Sequence, residues 1–113
     1  MTRRASLDPG ELVRAMLAAA RERLGDHWAD VKDYAETAVR NLVQTMRMIE
    51  RLDREGRVTR RQARLLLEIQ KNTARTVLLT IEGLGVLTAE QALDAALGAV
   101  KDAVNRTIGW RLL

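Results

Sequence analysis

Residues 51–70 read RLDREGRVTRRQARLLLEIQ. Gly56 closes a segment with helical periodicity and Thr59 opens another, so two helices meet here at a short turn. Upstream, Ala35, Ala38, Leu42, Thr45, Ile49 and Leu52 fall at heptad spacing. A second stripe, Val39, Val43 and Met46, widens the apolar face beyond a two-stranded seam. Downstream, Ala63, Leu66, Leu67, Ala74, Val77 and Ile81 form one stripe, and Leu65, Ile69, Thr76 and Leu79 form another. A helix apolar over so much of its circumference is expected to sit centrally or to be shared with a second subunit. Gln70, Asn72 and Thr73 interrupt it, and Asn72 reads equally well as solvated or as a register-setting amide.

Two further helices flank this hairpin. Asp8 with Pro9 marks a start, Val13, Met16, Leu17, Ala20 and Leu24 follow on one face, and Gly25 ends the run. Asp26 is expected to cap the long second segment. After Gly83 and Gly85, Thr88 and Gln91 form a capping-box pattern ahead of Leu93, Ala96, Leu97, Val100, Ala103, Val104 and Ile108. The spacing predicts an all-α antiparallel four-helix bundle, helices 9–24, 27–55, 60–82 and 89–109, that forms oligomers. One domain spans 1–113, with a flexible arm at 1–7 and an apolar tail at 110–113. Val31–Ala35 and Val100–Val104 share a faint echo (VKDYA against VKDAV), too short to carry a duplication.

Composition agrees with helices. Aromatics make up 3% and there is no Phe, so the core must come from aliphatic residues, Ala and Met. With no Cys, disulfide and thiolate chemistry are excluded. The N-terminal MTRRASLDPGELVRAMLAAA does not read as a targeting peptide, so a cytoplasmic location is expected. Thr76–Val100 carries only Glu82, Glu90 and Asp94 as charges; those acids and the turn between them fit a buried hairpin better than a membrane-inserting one.

No catalytic constellation is legible. His27 is the only histidine, and the Glu-x-x-His pair of a di-iron bundle is absent. Glu36, Glu50 and Glu68 each have a base three or four residues on, which is how solvated helix surfaces stabilise themselves. Gly83–Gly85 follows a helix and reads as a turn, not as a phosphate loop. No catalytic residue, metal site or cofactor is expected.

Seven arginines, Arg47, Arg51, Arg54, Arg57, Arg60, Arg61 and Arg64, crowd the hairpin against Glu50, Asp53 and Glu55. That local +4 equals the net charge of the whole chain. A basic tip can grip phosphates or an acidic protein, yet no aromatic stacking platform is interleaved. Sixteen Arg to three Lys also fits a GC-rich bacterial genome. A solvated tip is favoured over an acidic protein partner, and that over nucleic acid. At the other end of the chain, Trp110, Leu112 and Leu113 form an apolar tail that is expected to dock somewhere. The layout is that of many small helical proteins, virion and prophage components and adaptor bundles among them, an analogy that supplies no residues.

The resulting expectation is a non-enzymatic assembly module that self-associates and docks a partner protein. Leu65, Ile69, Leu79, Trp110, Leu112 and Leu113 are the candidate association residues. A nucleic-acid-binding accessory protein using the arginine tip is the second reading.

Overall fold

Four helices make up a computed structural model of the chain, which describes residues 6–113. They are α1 (Pro9–Leu24), α2 (Trp28–Arg54), α3 (Arg60–Leu79) and α4 (Val86–Ile108). A 3-10 turn, Gly25–His27, joins α1 to α2. Helix accounts for 82% of the described residues, and none of these lies in a strand.

Several helix ends follow local signals directly. The Asp8 carboxylate accepts the N–H groups of Gly10 and Glu11 at 3.0 and 3.3 Å. Leu7 and Leu12, at the positions of a hydrophobic staple, are both buried. The arm expected at 1–7 falls largely on residues 1–5, outside the described residues. Its last residue, Leu7, lies against α2 and donates its N–H to Glu50 Oε2 at 3.3 Å. Gly56, at φ +67°, closes α2 in a Schellman arrangement: Arg57 N–H donates to Leu52 O and Gly56 N–H to Asp53 O. Thr59 then opens α3 with a complete capping box, exchanging hydrogen bonds with Gln62 at 3.0 and 2.9 Å.

Other boundaries depart from the sequence expectation. Asp26 does not cap α2; it sits inside the 3-10 turn, and the first helical residue follows His27 with no side-chain cap. Helix α3 ends at Leu79, not residue 82, because Thr80 and Ile81 donate to Val77 O and Leu78 O, bonds that tighten the last turn. Helix α4 begins at Val86, capped by Gly85, not at the Thr88 capping box. Burial of Leu84 draws the chain inward three residues early, and Ala89 N–H already bonds to Gly85 O.

The helices run up-down-up-down, with α1 packed most extensively on α4 and α2 on α3. Alanines explain the first pairing. Ala89, Ala92 and Ala96 on α4 and Ala20 on α1 are at most 4% exposed. Side chains this small let two helix backbones approach closely. Met16, Leu24, Leu42, Met46, Ile49 and Ile108 fill the centre. Of the two places its apolar circumference allowed, central or shared with a second subunit, α3 does not take the first. It touches α2 and, less, α4, and makes no contact with α1. Ala63, Leu67, Ala74 and Leu78 bury its inner face, while Leu65 and Ile69 stay 53% and 63% exposed.

Candidate interaction surface

All seven hairpin arginines are exposed, but packing divides them instead of merging them into one tip. On the α1 side, Arg47 lines a groove with Arg14, Arg40 and Val13. Arg47 continues into a second groove with Arg51, Arg54 and Leu7. Arg54 is already engaged, donating to Glu50 Oε2 at 3.0 Å and Ser6 Oγ at 3.1 Å. Among the described residues, Arg14, Arg40, Arg47 and Arg51 have no ion-pair partner. Arg14 joins Arg40 and Arg47 only through the antiparallel packing of α1 on α2, which the sequence alone does not show.

On the α4 side the bases are mostly occupied within the chain. Lys71 reaches Asp94 at 3.5 Å, in place of the expected neighbour Glu68, and Arg75 pairs with Glu90. Arg60 and Arg64 flank the Trp110 ring, their guanidinium carbons 5.4 and 5.6 Å from its centre. Arg64 also donates twice to the Arg111 carbonyl, at 3.2 and 2.8 Å. The remaining two, Arg57 and Arg61, lie at the hairpin; Arg57 makes an exposed pair with Glu55 at 3.1 Å.

These contacts fix the C-terminal tail in place. Asn105 Oδ1 accepts the N–H groups of Leu112 and Leu113, each at 2.9 Å. Leu112 is buried at 5% exposure, and Trp110 and Leu113 are half-buried against the core. Three of the six candidate association residues therefore pack within their own chain. The signal for this lay in Asn105, an amide one turn before the helix-ending Gly109, and it was not read.

Between the two rows of bases lies a face poor in charge, with Arg57 at its hairpin end and Glu68 beside it. On α3 it comprises Leu65, Ile69, Asn72, Thr76 and Leu79, all exposed. On α2, half-buried Leu52 shares a groove with it, Asn41 and Thr45 are half-buried and uncharged, and Met48 borders the arginine groove on the α1 side. At the hairpin end, Leu52, Val58, Gln62, Leu65, Leu66 and Ile69 form a shallow apolar groove with Arg57 at its edge. The polar groups on this face are largely satisfied. Thr45, Thr73 and Thr76 hydroxyls donate to the carbonyls four residues back, at 3.0–3.1 Å, so their methyl groups are what the surface offers. Asn72 Oδ1 accepts from Arg75 Nη1 at 2.7 Å. In a chain with 30% charged residues, an α3 seam of Leu65, Ile69, Asn72, Thr76 and Leu79 without a charge is a local departure.

A second exposed pair, Val86 and Leu87, sits at the opposite end of the bundle, at 61% and 70% exposure. It arises from the early start of α4. Among the described residues, no three His, Asp or Glu side chains converge as metal ligands do, and no helix is long and apolar enough to cross a membrane. No family model, curated protein or solved structure matches the chain.

Proposed function

We propose that this chain is a non-enzymatic helical assembly module that associates through the outer face of α2 and α3. One observation carries the reading: Leu65 and Ile69 stand more than half exposed at the hairpin end of a face poor in charge. Isolated surface leucines are ordinary, but here they continue into Leu66, Leu52 and Val58 in one groove. Interface cores are depleted in charge and rimmed by polar residues, and the arginine rows supply such a rim. Replacing Leu65 and Ile69 together by Asp tests it. The double variant should keep its helical circular dichroism, since neither side chain belongs to the core, and lose association by light scattering. Association that persisted undiminished would refute this face.

A second reading rests on the α1–α2 groove, where Arg14, Arg40 and Arg47 gather without an acid among the lining residues. An anionic partner, an acidic protein or a nucleic-acid backbone, fits that charge. The two readings use different surfaces and are separable by mutation.

A further inference from the structure

We infer that the occupant of the charge-poor face is a second copy of this chain, laid antiparallel, with the two-fold axis passing beside Asn72; this rests on reading that face as an association surface. The exposed seam of α3 is nearly symmetric about this residue. Leu65, Ile69, Asn72, Thr76 and Leu79 advance by steps of four and three, the spacing of a helix-pairing seam. Leu65 and Leu79 each lie seven residues from Asn72, about 10.5 Å along the axis. Turned end for end, the seam places Leu65 against Leu79 of the second copy and Ile69 beside its Thr76. An isologous contact of this kind closes on itself and needs no other surface.

The charge distribution selects the same orientation. The hairpin end carries the local +4 of residues 47–64. At the opposite end, Asp26, Asp30, Asp33 and Glu36 in the first turns of α2 and the link before it, with Glu22, outnumber Lys32 and the Arg21 and Arg23 of the last turn of α1. Residues 82–94 hold Glu82, Glu90 and Asp94 with no base. An antiparallel pair sets the basic end of each copy beside the acidic end of the other, which favours encounter and register. A parallel pair would stack arginine on arginine. Asn72, at the axis, is the sort of single amide that sets register in an otherwise apolar seam.

The available area is adequate but modest. Twenty residues of α3 run about 30 Å, and two neighbouring helices are about 20 Å wide, so each copy offers roughly 600 Å². The total of about 1,200 Å² sits at the lower edge of specific interfaces, so the dimer should form at tens to hundreds of micromolar.

Cysteine chemistry provides the test, because the chain has none of its own. Three single variants, Asn72→Cys, Leu65→Cys and Leu79→Cys, are treated with a short bis-maleimide, with circular dichroism confirming that each is folded. Asn72→Cys should cross-link to dimer by itself. Leu65→Cys and Leu79→Cys should each remain uncross-linked alone, since like positions stand about 21 Å apart along the axis, and should cross-link when mixed. Ile69→Asp should raise the dimer dissociation constant at least about tenfold. If Leu65→Cys and Leu79→Cys each cross-linked alone while Ile69→Asp still dispersed the dimer, the antiparallel arrangement would be wrong and the face right. A dimer indifferent to Ile69→Asp would overturn the face as well. A monomer at several hundred micromolar would overturn the second copy and leave the face to a different protein.

Discussion

The carboxamide of Asn105 holds Leu113 on two sides, accepting its N–H at 2.9 Å and donating to its carbonyl at 3.2 Å. The same oxygen accepts the Leu112 N–H, so one side chain serves three backbone groups. Asn105→Ala takes this partner from the part-buried Leu113 groups and leaves the Leu112 N–H only its 3.1 Å bond to Trp110 O, at a cost of about 1–3 kcal/mol. The thermal midpoint should fall by roughly 5–15 °C. Trp110 should also become wetter, because its ring is seated between Arg60 and Arg64 only while the tail is held. A red-shifted tryptophan emission at a temperature where the helices remain intact is the accompanying readout.

The hairpin arginines should separate into two groups by stability. Arg51 has no ion-pair partner among the described residues, and the Arg57–Glu55 pair is well exposed, at 68% and 44%. Arg51→Gln and Arg57→Gln should each change stability by less than about 0.5 kcal/mol. Arg64→Gln removes two donors to the Arg111 carbonyl and one cation resting on Trp110. It should cost about 1–2 kcal/mol and loosen the tail. Chemical denaturation of the three variants is the check; equal midpoints would show that the tail contacts contribute nothing.

Close approach of α1 and α4 gives a third expectation. Ala96 is 1% exposed on α4, the helix that packs most extensively on α1. Ala96→Leu adds three carbons where two backbones pack closely, and should destabilise by about 1–3 kcal/mol or more. Ala99→Leu, three residues on and exposed, is the matched control and should be nearly neutral. The pair compares overpacking with an unchanged helix propensity class.

These contrasts also explain which parts of the structure were legible in the sequence. Caps that depend on one residue and its near neighbours, Asp8 and Thr59, were readable because their hydrogen bonds are local. The Thr88 box was equally well formed as a pattern but lost to burial of Leu84, a tertiary effect that no local window contains. The two stripes of α3 were read, yet its place in the bundle was not. Which stripe is covered depends on how tightly α1 and α4 close on each other, and that is set by alanines far away in sequence. The grouping of the hairpin arginines was beyond the sequence for the same reason: helix phase gives the face each one takes, while the neighbours on either side decide which of them share a groove. Arg14 joins Arg40 and Arg47 across more than two dozen residues, a juxtaposition only the fold supplies.

That groove yields the last expectation. Arg14, Arg40 and Arg47 are exposed and without ion-pair partners among the described residues, so replacing all three by Gln should leave the fold nearly unchanged. If the groove holds a polyanion, the parent protein should be retained on heparin with a steep salt dependence. On duplex DNA, each phosphate contact contributes about 0.9 to the slope of log affinity against log salt, so the triple variant should lose about 2.7. A triple Gln variant of Arg57, Arg60 and Arg61 removes the same formal charge from the other side of the charge-poor face. Non-specific attraction to net charge would shift both variants alike, whereas a seated polyanion would weaken only with the groove. Equal losses would therefore remove the groove as a binding site and leave its arginines as the charged rim of the α2–α3 surface.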